Sequence, residues 1–182
     1  MTNDDNKRSS HSAEVSAVSF RMARMSDAEV LADFNARLAM ETEGKPLDPE
    51  TVRRGVLRGL QLAPEVRYFV AEHRGQVIGQ LMLTREWSDW RNGWMIWLQS
   101  VYVHADFRGR GVFRTLLQSA LQTVDESDSP ACVRLYVEHH NEAAKSCYRS
   151  LGFVDSGYLV MERPGERPAH TNLLNTSSRL LK

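Results

Sequence analysis

Residues Gln99 to Leu117 read Gln-Ser-Val-Tyr-Val-His-Ala-Asp-Phe-Arg-Gly-Arg-Gly-Val-Phe-Arg-Thr-Leu-Leu, and the fold follows from how they are read. Apolar and β-branched residues before His104 predict a strand, and Arg108 to Gly111 a glycine-punctuated loop. Val112, Phe113, Leu116, Leu117, Ala120, Leu121 and Val124 then recur at helical spacing. A helix entered through such a loop points unpaired backbone N–H groups, and the positive end of its dipole, at whatever lies above its first turn. That place suits phosphate. Gly109 and Gly111 carry no Cβ, so the backbone can approach an anion, and Arg108, Arg110 and Arg114 add charge. A loop that merely turns the chain has the same glycine spacing, so the surrounding sequence has to decide.

Upstream, Val15 to Met22 predicts a short strand. Ser26 with Glu29 forms a capping box for a helix over about 27–40, whose inner face carries Leu31, Phe34 and Leu38. Glu41 to Leu47 breaks it. Asp48 then caps and Pro49 opens a second helix with Val52, Val56, Leu57 and Leu60 inside and Arg53, Arg54 and Arg58 outside. Arg67 to Glu72 and Gln76 to Arg85 predict a hairpin around His73-Arg74-Gly75, and a polar segment from Glu86 to Gly93 leads to the strand Trp94 to Val103. Downstream, Asp125 to Pro130 is a loop, Cys132 to Val137 a strand, and Asn141 heads a helix closed by Gly152. Phe153 to Val154 and Tyr158 to Glu162 predict a last hairpin. Hairpins outnumber crossovers, so the expected architecture is α/β with a mixed, largely antiparallel sheet of six to seven strands and about four helices.

At 182 residues, 42% hydrophobic and 25% charged, the chain fits one domain, expected over 16–163 between polar tails at 1–15 and 164–182. Lys plus Arg and Asp plus Glu both number 23, so no net field recruits nucleic acid or an acidic membrane. The first residues lack the basic-then-apolar pattern of a signal peptide, and a cytoplasmic location is expected. Cys132 and Cys147 are too few for a disulfide framework and read as small core residues. No Cys or His spacing, the pair His139 and His140 included, matches a metal site, so no metal is expected.

Taken together, the chain resembles the GNAT superfamily of acyl-CoA-dependent N-acyltransferases over roughly residues 18–162. One motif is the family's Gln or Arg, two residues, Gly, one residue, Gly or Ala loop, met by Arg108 and Gly111, with Phe113 departing at the last place. The other is Asn141, Ala144, Tyr148, Gly152 and Phe153, which looks like the family's later helix. The resemblance implies acetyl-CoA as acyl donor. Its pyrophosphate would be held by backbone N–H groups of Arg108, Gly109, Arg110, Gly111, Val112 and Phe113, and its pantetheine arm by Val101, Tyr102, Val103 and Asn141. It also implies that the strands Trp94 to Val103 and Cys132 to Val137 splay at a bulge, freeing an N–H near Val101 to polarise the thioester.

Tyr148 is the expected acid, since a phenol protonated at neutral pH can hand its proton to the departing thiolate, although Tyr also packs in cores with its hydroxyl satisfied. Asn141 is a helix cap, a pantetheine contact, or both. The acceptor amine needs a base, and the sequence offers Glu86 and Asp89 first, then Glu138, Glu41, Glu43 and His104. All four tryptophans, Trp87, Trp90, Trp94 and Trp97, fall close together, and at least one of Trp94 and Trp97 is expected in the core. Trp87 and Trp90 flank Asp89, where cation-π contact would receive an amine; packing or a homodimer interface accounts for them equally. The expected activity is direct acetyl transfer to a primary amine on a small molecule or peptide. A non-catalytic acyl-CoA-binding module is the alternative, and a nucleic-acid-associated protein is disfavoured by the zero net charge.

Overall fold

The computed structural model describes residues 18–124 and 130–163; the expected tails and most of the loop from Asp125 lie outside these. Arg74 and Gly75 both take positive φ, the geometry that turns β2 (Val66–His73) tightly into β3 (Gln76–Ser88). Asn92, also at positive φ, turns β3 into β4 (Gly93–Val103). With β1 (Val18–Met22) against β2 and β5 (Cys132–Leu135) parallel to β4, the strands make one sheet in chain order β1-β2-β3-β4-β5. The three other pairings are antiparallel.

Alternation along the strands divides the apolar residues between two layers of helix. Tyr68 and Val70 face α1 (Ala28–Glu43) and α2 (Pro49–Leu60), packing with Leu31 and Val56. Phe69, Leu81, Leu83, Ile96 and Leu98 face α3 (Val112–Gln122), packing with Leu116 and Ala120, and α4 (Glu142–Ser150) adds Tyr148 to that layer. In β4 the alternation shifts. Ile96 and Leu98 face α3, but so do Val101 and Val103, while Tyr102 turns to α1 and meets Phe34 at 4.8 Å between rings. An extra residue causes this: Ser100, at φ 49, and Val101 stand opposite Leu81 without register partners.

Several elements differ from expectation. Among the described residues the sheet has five strands, not six to seven. Among the described residues no strand forms after α4: the Asp155 carboxylate accepts from the Gly157 N–H, a local turn, and Leu159 and Met161 are exposed. Tyr158 to Met161 is unbroken apolar sequence with no alternating face, and β5 offers a partner only four residues long. Helix α1 continues to Glu43, so Glu41 belongs to its last turn and Gly44, at φ 63, ends it. Its entry is not closed by Ser26 and Glu29. Asp27 accepts from the Arg24 N–H at 2.6 Å instead.

Asp27 also takes both terminal nitrogens of Arg21, at 2.7 and 3.1 Å, while Glu72 holds the Arg21 Nε at 2.9 Å. The bonds from Arg21 outweigh burial and hold the Asp27 carboxyl below the usual range. A carboxyl with a depressed folded pKa stabilises above its unfolded value, and that contribution is lost as pH falls through the folded one. Asp27→Asn should therefore lower the unfolding free energy by about 2 kcal/mol at neutral pH, the scale of hydrogen bonds to charged groups. Denaturant titrations should show the gap closing at strongly acidic pH.

Candidate active site in the notch between β4 and β5

Parallel pairing of β4 with β5 runs from Met95–Cys132 to Leu98–Leu135 and stops there. β4 continues through the Ser100 bulge to Val103, while the other chain leaves its strand at Leu135 and passes Tyr136 to Glu138 on the way to α4. The expected splay is present, and a cleft of about 1040 Å³ occupies it. Val101, Asn141 and Tyr148 line the cleft, as do Asn35, Glu43 and Glu138.

Next to the notch, Gly109 and Gly111 take φ 72 and 79, and a Cβ built on either would meet nothing within 4 Å. Glycine is needed here for the left-handed backbone rather than for packing, and the space above it is open. No side chain caps the first turn of α3. Its leading N–H groups, the dipole and the open space form a cradle that fits a pyrophosphate. The Arg108 side chain has another task. Its Nη2 donates to Glu41 at 2.6 Å, its Nε to the Val103 carbonyl at 2.7 Å, and its guanidinium lies 5.2 Å from the Tyr102 ring. Tyr102 donates to the other Glu41 oxygen at 2.9 Å. Burial pushes the Glu41 carboxyl up, but the bonds from Arg108 and Tyr102 prevail and hold it low. Arg108 thus braces the loop against α1, with its charge met by Glu41.

The sequence model of the acetyltransferase (GNAT) family matches residues 32–153. The chain belongs to that family. Among solved structures it is similar to a possible acetyltransferase from Clostridium difficile 630, with 38% identity and a TM-score of 0.75 over 83% of this chain and 99% of the other. A predicted acetyltransferase with acetyl-CoA from Clostridium acetobutylicum is 18% identical with a TM-score of 0.66, over 80% of this chain and 96% of the other. A ribosomal-protein-alanine N-acetyltransferase from Brucella melitensis biovar Abortus 2308 is 19% identical with a TM-score of 0.66, over 82% and 100%. The latter two show the fold alone. No curated protein matches the chain.

Within this GNAT domain Tyr148 is wedged between Phe113 and Phe153, at 5.8 and 5.7 Å between ring centroids. Phe113, the departure from the family loop, is therefore a wall for the phenol. Burial pushes the Tyr148 hydroxyl up to about 12, so it holds its proton throughout the neutral range. Among the described residues it makes no hydrogen bond. Asn141 caps α4 by accepting from the Ala144 N–H at 3.0 Å, and the same residue lines the cleft.

Of the residues expected on the acceptor side, Glu86, Asp89, Trp87 and Trp90 do not line the cleft, whereas Glu43 and Glu138 do. β3 runs on to Ser88, so Glu86 is a strand residue opposite Met95, and its carboxylate accepts from the Trp97 indole at 2.6 Å. Asp89 accepts from the Trp90 N–H in the hairpin turn, and Trp90 is 90% exposed. Trp87 packs edge-on against Trp94 at 5.2 Å, with Arg85 4.4 Å from the Trp94 ring. Neither Trp94 nor Trp97 is fully buried; Trp97 is instead stacked on Tyr136 at 4.5 Å. Cys147, expected in the core, is exposed. His104 accepts from the Asp106 N–H at 3.4 Å and serves its own turn. The carboxylates that do line the cleft are Glu43, paired with Lys45 at 2.8 Å, and Glu138, which accepts from the His140 N–H at 2.7 Å. Among the described residues no helix is long and apolar enough to cross a membrane.

Proposed function

We propose that this protein transfers an acetyl group from acetyl-CoA directly to a primary amine, carried on a small molecule or a peptide in the cytoplasm. The supporting observation is that one protonated phenol, Tyr148, and the unregistered backbone at Val101 stand on the walls of the same cleft, beside the uncapped α3. Bound there, acetyl-CoA supplies an acyl carbon activated as a thioester. The backbone of residues 108–113 holds the pyrophosphate, and Val101, Tyr102 and Val103 pair with the pantetheine arm beside Asn141. Tyr102 acts through its backbone only, since its side chain is engaged by Glu41. The Val101 N–H faces the acyl oxygen as it gains negative charge. Glu138 takes one proton from the incoming ammonium, directly or through water; Tyr148 delivers one to the departing sulfur and regains the second proton that the nitrogen loses as the amide forms, so one proton is released net. Neither cysteine lines the cleft, which favours direct attack over an acyl-enzyme.

An amine panel screened for thiol release tests this reading. At least one amine class should liberate CoA. Glu138→Gln should lower kcat/KM for that amine by about 10²-fold, within the range of general bases, with little effect on the KM for acetyl-CoA. Asp89→Asn and Trp90→Ala should behave like the parent. Acetyl-CoA binding without release by any amine would favour the non-catalytic binding module.

A further inference from the structure

Gln80 lies in the middle of β3 with no exposed surface, in the run Ile78-Gly79-Gln80-Leu81-Met82-Leu83. Its Nε2 donates to Asn35 Oδ1 at 2.7 Å and to the Ser100 carbonyl at 3.3 Å. Its Oε1 is buried without a hydrogen-bond partner among the described residues. An unpaired buried acceptor is destabilising, so an apolar side chain of similar length would suit the core better. Packing alone does not account for the amide.

The carbonyl it grips belongs to the bulge. Ser100, at φ 49, holds a left-handed conformation that non-glycine residues keep only where their surroundings fix it. A trans peptide is planar, so the Ser100 carbonyl and the Val101 N–H point in opposite directions. Gln80 draws the carbonyl toward β3. The opposed N–H then leads away from that bond, and on the far side of β4 pairing has already ended at Leu135 beside the cleft.

We infer that Gln80, anchored by Asn35, is a positioning residue that orients the Ser100–Val101 peptide so that the Val101 N–H donates into the notch. This rests on the acetyl-transfer reading of the cleft, and the substitution Gln80→Met separates the two. In ligand-free protein labelled with ¹⁵N, the Val101 amide signal should move on Gln80→Met. With acetyl-CoA labelled with ¹³C at the thioester carbonyl, the infrared carbonyl stretch of the bound donor should lie below that of the free donor in the parent. It should return most of the way in the variant. CoA affinity should be kept, while turnover of an accepted amine falls about tenfold or more, as for a weakened oxyanion donor. Asn35→Leu, which removes the anchor and leaves Gln80, should give a smaller change of the same sign and serves if Gln80→Met does not fold.

An unmoved Val101 signal, or one carbonyl frequency shared by parent and variants, would overturn the inference. So would a fall in melting temperature and CoA affinity together, which would leave Gln80 a core residue only. Failure of the parent to bind acetyl-CoA would instead strike the functional reading, and the amide signal would still decide the role of Gln80.

Discussion

Gly111→Asp is expected to weaken acetyl-CoA binding by at least about 2 kcal/mol, roughly 30-fold in Kd, the scale of a repelled charge in a binding site. Gly111 sits at φ 79 as the residue before α3, with nothing within 4 Å of where a Cβ would be. Substitution therefore meets no clash, and two effects remain: strain in the left-handed backbone, and the charge itself. Asn is nearly isosteric with Asp and tolerates this backbone region best among non-glycine residues. Gly111→Asn should thus carry the strain without the charge, and calorimetry on both variants separates the terms. If both bind CoA alike, or Gly111→Asp binds as tightly as the parent, the N-terminus of α3 is not an anion site.

That loop was legible because its signals are local. Glycines at Gly109 and Gly111, followed by apolar residues at helical spacing, can be read within a few positions, as can the Asn141 cap and the Gly152 stop of α4. The splay of β4 from β5 came from family resemblance, since nothing in either strand marks where pairing ends. The bulge that sets the side-chain alternation of β4 was hidden in a serine. Its positive φ is not one that serine prefers, and its carbonyl accepts from Gln80, 20 residues away on β3. Arg108 misled for a similar reason: its carboxylate partner Glu41 lies 67 residues away in the sequence. The stretch from Glu86 reads as a loop because it is polar, although Glu86, Trp87 and Ser88 pair with Met95, Trp94 and Gly93. One further signal is local. A glutamine inside the run from Ile78 to Leu83 is a polar residue where burial demands a partner.

Tyr148→Phe is expected to slow acetyl transfer by roughly 10²-fold or more while leaving fold and CoA binding intact, the range typical of general acids. The substitution keeps the ring that packs against Phe113 and Phe153, so the wall of the cleft survives. It removes a hydroxyl that makes no hydrogen bond among the described residues, and deleting such a group is close to neutral for stability. A loss of rate without a loss of melting temperature would therefore report chemistry. The pH dependence gives a second reading. Burial pushes this phenol up to about 12, so its acid form is retained above pH 10, where an ordinary tyrosine would be half ionised. The parent's kcat should accordingly show no alkaline fall near that pH. Equal turnover by parent and variant, once an accepted amine is in hand, would reduce Tyr148 to packing between two phenylalanines and move the search for the acid elsewhere on the cleft.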